Sequence, residues 1–161
     1  MRTFMQFVGE KADKISTLSS SKEILQEVLA ILRGQYWSHQ TNHWQSNGPN
    51  YYGNHLLFQR LYEGVGEEID TLAEKLVGYF GEDAVDQSTL IEKTQYWIDK
   101  WNKTKDIVER GLESEKDLQK ALSYAYNKLK AQDDMSLGLD DFLMTVADAH
   151  ETNLYLLGQI K

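Results

Sequence analysis

His43-Trp44-Gln45-Ser46-Asn47-Gly48-Pro49-Asn50-Tyr51-Tyr52-Gly53-Asn54-His55 is the stretch on which the fold turns. Gly48 and Pro49 interrupt any helix: proline lacks an amide hydrogen, and glycine accepts backbone angles that other residues resist. Upstream, Leu25, Val28, Leu29, Leu32, Tyr36, His39 and His43 recur at spacings of three and four, the period of one helix face. Ser20 with Glu23 makes a capping box at the start of that helix. Downstream, Leu57, Phe58, Leu61, Tyr62, Val65, Ile69, Leu72, Ala73, Leu76 and Val77 supply the face of a second long helix, from about residue 51 to 79. Two long helices joined by a tight turn lie antiparallel. His43 and His55, each six residues from Pro49, then fall at similar height.

Further along, turn chemistry is dense only at 46–53, 81–88 and 133–138. Between these breaks the spacing predicts a short helix at 89–100 and two more long ones at 103–131 and 139–160. Clean period-2 runs are too short for strands. The expected class is all-α: a four-helix bundle with a short extra helix in the crossover between the second and third long helices. The chain reads as one domain, 1–161. Residues 1–19 form an N-terminal extension in which a short amphipathic piece covers 3–15.

With 41% hydrophobic and 26% charged residues, the composition is that of an ordinary globular domain. No cysteine is present, which excludes disulfides, thiolate metal sites and Cys nucleophiles. No apolar run reaches the ~20 residues of a membrane span, and the N-terminus is too interrupted for a signal peptide; the chain is read as cytoplasmic. The net charge of −8 repels nucleic acid and attracts cations. Residues 1–22 carry a slight surplus of +2 from Arg2, Lys11, Lys14 and Lys22 against Glu10 and Asp13.

Helical bundles often hold di-metal sites built from Glu-x-x-His pairs. The residues three before His39, His43, His55 and His150 are Tyr36, Gln40, Tyr52 and Ala147, so that site is not encoded. A different set remains: His43 and His55 by the turn, and the i,i+4 pair Asp70 and Glu74 on one face of the second helix. Imidazole with carboxylate suits iron, zinc or manganese. Fifteen residues separate His55 from Asp70, about 22 Å along a straight helix. One ion holds its ligands at about 2 Å. The two halves therefore meet only if a second copy lies antiparallel beside the first.

The stretch His43-Trp44, three residues, Gly48-Pro49, one residue, Tyr51, three residues, His55 resembles the signature of the Dps family, the mini-ferritins of starved bacteria. Leu57-Phe58, Leu61-Tyr62-Glu63 and Asp70-Thr71-Leu72-Ala73-Glu74-Lys75 continue the likeness without a gap. The resemblance implies a ferritin-like bundle assembled into a hollow dodecamer that oxidises Fe(II), usually with hydrogen peroxide, and stores the ferric product. It implies ferroxidase sites at two-fold interfaces, with His43 and His55 from one subunit and Asp70 and Glu74 from its mate. His39 and Trp44 are then supporting residues beside the ligands, Trp44 packing at the subunit contact. Asp133, Asp134, Asp140 and Asp141 are candidates for an ion-entry pore.

Two departures from the family pattern stand out. The family usually carries a carboxylate four residues after the second histidine, where this chain has Gln59, a neutral and poorer donor to a hard cation. Lysine-rich tails are common in DNA-binding members, and this tail is only faintly basic. Twelve copies at −8 each make a strongly anionic particle, so DNA is a possible partner but not the favoured one. A non-catalytic structural or DNA-coating cage is the alternative function. Residue by residue, plainer readings also hold: lone histidines are commonly core hydrogen-bonders, helix carboxylates are commonly solvated, and the four aspartates suit a turn and a helix start. His150, beside Glu151, reads as a surface or interface residue.

Overall fold

The computed structural model describes Ile15 and residues 18–161. The expected amphipathic piece at 3–15 and the basic tail lie outside the described residues, Ile15 and Lys22 excepted. Five α-helices follow in order: α1 Ser21–Gln45, α2 Tyr51–Phe80, α3 Gln87–Trp101, α4 Ile107–Ala131 and α5 Leu137–Gln159, with one 3-10 turn at Glu82–Val85. The architecture is the expected all-α, ferritin-like bundle: four long helices, with α3 lying in the crossover between the second and third.

Four of the five α-helices, all but α2, begin where a side chain satisfies a free amide hydrogen. Ser20 Oγ accepts from the Glu23 amide at 3.2 Å and donates to the Glu23 carboxylate at 2.9 Å. Asp86 accepts from the Thr89 amide at 2.9 Å, starting α3 two residues before the expected boundary. Asp106 accepts from the amides of Val108 and Glu109, both at 2.9 Å. That cap moves the start of α4 from the expected 103 to Ile107. Ser136 Oγ accepts from the Leu139 amide at 3.2 Å and starts α5 at Leu137 rather than 139. Between α1 and α2 the chain reverses through Gly48 at φ +74°, and α2 ends on Gly81 at φ +84°; both angles favour glycine.

α1 is buried on most of its circumference, Ile24, Leu25, Val28, Leu29, Ala30, Ile31 and Leu32 all being inside. The reason is α3, which crosses the helix pair and covers the side of α1 that a plain bundle leaves open. Two indoles anchor it. Trp97 donates to Glu27 at 2.7 Å and Trp101 donates to Asp117 at 2.8 Å. Lys93 and Lys100 donate to the same two carboxylates, at 3.0 and 2.9 Å. Gly34 makes room for this crossing, since a Cβ there would lie 2.9 Å from the Trp101 ring. A second, smaller apolar cluster of Phe58, Leu61, Val108, Leu112 and Leu157 closes the end of the bundle near the α1–α2 turn.

Candidate metal centre

The end of α1 is pinned before the site begins. Asn42 is buried; its side chain accepts from Arg110 Nε at 2.7 Å and donates to the Ile107 carbonyl at 3.3 Å. Ser46 Oγ closes the helix end on the Asn42 carbonyl at 2.9 Å. His43 sits between these anchors, and α2 brings His55 back beside it. The two imidazoles stack with centroids 3.6 Å apart and planes 23° apart.

Their hydrogen bonds are reciprocal. His43 Nδ1 donates to the His55 carbonyl at 2.7 Å, and His55 Nδ1 donates to the His43 carbonyl at 3.0 Å. A carbonyl oxygen only accepts, so each Nδ1 carries its hydrogen, and Nε2 is the ring nitrogen left for a ligand. That is the form a histidine takes when its second nitrogen is held for a metal. The structure thus brings His43 and His55 together and orients both.

Asp70 and Glu74 are elsewhere. α2 is unbroken from Tyr51 to Phe80, so the about 22 Å separation stands, and both carboxylates are exposed. Asp70 lies on the wall of a groove of about 860 Å³ between α1, α2 and α3, with Arg33, Tyr36, Trp37, Ile69 and Ile91 among its lining. Among the described residues, no three His, Asp or Glu side chains within the chain are arranged to hold a metal ion.

Gln59 lies one turn beyond His55, and its amide nitrogen donates to Glu63 Oε1 at 2.8 Å. Because a carboxylate only accepts, this bond fixes which way the amide points. Trp44 is 65% exposed. Of the four aspartates, Asp134 accepts from Ser21 Oγ at 2.5 Å and Asp140 pairs with Lys130 at 3.5 Å. Asp133 and Asp141 are exposed, Asp133 at φ +60°.

One constellation was not visible in the sequence. His150, expected at the surface or an interface, is 1% exposed. It lies inside the bundle between two carboxylates: Nδ1 donates to Glu115 at 2.5 Å and Nε2 donates to Glu68 at 2.8 Å. His39 Nε2 donates to the other oxygen of Glu115 at 3.1 Å. Four helices thus contribute one residue each to this hydrogen-bonded cluster. Burial alone would lower the His150 pKa, but Glu115 and then Glu68 push it up to about 10. Burial alone would raise that of Glu115, but the charge and hydrogen bond of His150, with the bond from His39, hold it down at about 2. His39 Nδ1 and the Gln35 amide are buried nearby without a hydrogen-bond partner among the described residues. The signal was weak because each partner comes from a different helix, and no spacing along the chain links them.

Comparison with known proteins identifies the family and the fold. The family model for a ferritin-like domain matches residues 22–160. A DNA protection during starvation protein from Brevibacillus brevis is 32% identical over 68 residues, covering 37% of this chain and 46% of that protein. The match thus spans less than half the length of that relative. The X-ray structure of Dps from Thermosynechococcus elongatus superposes with a TM-score of 0.73 at 18% identity, over 87% of this chain and 88% of that one, a likeness of fold. The chain belongs to the ferritin-like domain family, and within that family its likeness is to Dps.

Proposed function

We propose that this protein is an iron-binding mini-ferritin that oxidises Fe(II) and stores the ferric product in a homo-oligomeric cage, a dodecamer built from two-fold dimers in the cytoplasm. The supporting observation is the reciprocal clasp of His43 and His55, which engages both Nδ1 atoms and leaves the two Nε2 atoms for a ligand, while the matching carboxylates lie a rigid helix away. The site is completed by the partner subunit's Asp70 and Glu74. Iron is the substrate; the two imidazoles bind and orient it, and the carboxylates balance its rising charge. With neutral Gln59 beside them, this ligand set holds one ferrous ion per site. Zinc or manganese fits the same donors, and the pore aspartates Asp133, Asp134, Asp140 and Asp141 would concentrate cations at the surface.

The test is oxidation of added Fe(II) by hydrogen peroxide, followed by ferric absorbance. The wild-type protein oxidises iron faster than buffer, and His43→Ala removes the difference. A wild-type rate equal to the blank rejects the reading. Gln59 also motivates a second reading, a non-catalytic structural or DNA-coating cage. Zinc titration separates the two: a shared site binds zinc and loses it in His43→Ala, whereas the decayed cage binds none and is judged instead by a DNA gel shift.

A further inference from the structure

Of the seven asparagines in the chain, only Asn47 is followed by glycine. Asn42, Asn54, Asn127 and Asn153 lie inside helices, where the next amide is bonded along the helix. Asn47, Asn50 and Asn102 lie between helices. After Asn50, the Tyr51 amide donates to the Gly48 carbonyl at 3.1 Å; after Asn102, the Lys103 amide donates to the Lys100 carbonyl at 3.4 Å. Among the described residues, no acceptor engages the Gly48 amide in this way. Gly48 stands at φ +74°, with nothing within 4 Å of the place a Cβ would take, and both Asn47 and Gly48 are exposed. One exposed bond holds the Asn47 side chain, Nδ2 donating to the Gln45 carbonyl at 2.9 Å. A single bond in solvent opens readily, because water replaces it at little net cost.

We propose that Asn47–Gly48 is a self-modifying turn: it deamidates to isoaspartate with water as the only co-reactant, and the altered turn releases the histidine clasp. The Gly48 nitrogen attacks Asn47 Cγ and forms a new C–N bond. The bond from Cγ to Nδ2 breaks, and the NH2 group leaves as ammonia with the Gly48 amide hydrogen. Water then opens the cyclic imide. Opening at Cγ gives aspartate; opening at the main-chain carbonyl, the prevailing course for such imides, gives isoaspartate. No electron is transferred, and the new acid's proton passes to the ammonia. Isoaspartate routes the main chain through Cγ and lengthens the turn by one C–C bond, about 1.5 Å. The crossed bonds between His43 and His55 measure 2.7 and 3.0 Å, and a hydrogen bond is gone by about 3.6 Å. The added length therefore exceeds the slack in both. The new carboxylate attracts cations, but it stands in solvent and is screened, so the lengthening decides the outcome. The modification stands on the turn alone; its effect on cation capture rests on the metal-binding reading above.

The experiment ages the full-length protein in warm, neutral buffer beside a synthetic peptide spanning Gln45–Asn50. Peptide mapping with electron-transfer fragmentation locates each asparagine converted to acid and separates isoaspartate from aspartate. Conversion is expected at Asn47, mainly to isoaspartate, while Asn50 and Asn102 stay intact over the same time. An intact Asn47 after the peptide has converted overturns the site, as does conversion of Asn50 or Asn102 at the same rate. Zinc titration then reads the clasp. Aged wild-type protein should bind zinc severalfold more weakly than fresh protein, in proportion to the isoaspartate content. Asn47→Ser, which cannot close the imide, should bind equally well fresh and aged, and circular dichroism checks its fold. Fresh Asn47→Asp carries the charge without the added length and should bind zinc at least as tightly as the wild type. Weak binding by fresh Asn47→Asp, or unchanged binding by converted wild type, overturns the release of the clasp. Fresh wild type that binds no zinc overturns the metal-binding reading and the affinity loss with it, while the conversion at Asn47 is still judged by mass.

Discussion

Removing the carboxylate of Glu115 would leave the His150 imidazolium buried with only Glu68 to balance it. Breaking one side of a buried ion pair costs about 3–5 kcal/mol, and Glu115→Gln is expected to lower stability by that order in urea unfolding at fixed protein concentration. The pH dependence comes from the same pair. Glu115 falls from 4.5 to about 2 on folding, so its contribution is present above pH 4.5 and is lost as the pH drops toward 2. His150 rises from 6.5 to about 10, so its contribution is complete below pH 6.5 and is lost as the pH climbs through 10. The urea midpoint should therefore be highest between pH 4.5 and 6.5 and fall on either side. A midpoint still rising above pH 7 would contradict the assignment. His43 and His55 were legible as residues because a turn places them together within thirteen positions. Glu115 and Glu68 were not, because only the packing of four separate helices brings them to His39 and His150.

Among the elements, α3 is the one whose placement most depends on a single atom count. A methyl group at Gly34 would meet the Trp101 ring at 2.9 Å, and that ring is fully buried and tied to Asp117. The ring cannot yield as the tip of a flexible chain would. Gly34→Ala is expected to cost about 1–3 kcal/mol through overpacking, in spite of alanine's better helix propensity. Gly64 lies in α2 with nothing within 4 Å. There the same change should stabilise the separated subunit by about 0.5–1 kcal/mol. Thermal unfolding of the two variants side by side checks the contrast. The helices themselves were readable because long apolar periods fix a helix's existence. Their starts were less so: Asp106 and Ser136 compete with nearby residues for the cap, and only the folded amide positions decide.

At the level of the whole molecule, the unbroken α2 makes the proposed centre a property of two chains. In a two-fold pair each interface residue is used twice, once from each side. Subunits carrying His43→Ala and subunits carrying Asp70→Ala should each be inactive alone. Unfolded together and reassembled at random, they should recover about a quarter of the sites, since half the pairs are mixed and each mixed pair keeps one whole centre. Zinc titration of the reassembled mixture reads this directly, and no recovery would place both halves of the site on one subunit.

The crossed bonds between His43 and His55 carry a thermodynamic consequence. Each ring is anchored by the other's main chain, so neither has rotamer freedom left to surrender when a cation arrives; that disorder vanished when the turn closed. Calorimetry of cation uptake should then reveal little entropic penalty from these two donors. Loosening the backbone at Gly48–Pro49, which touches no ion, should weaken capture by returning that lost disorder to the unliganded state.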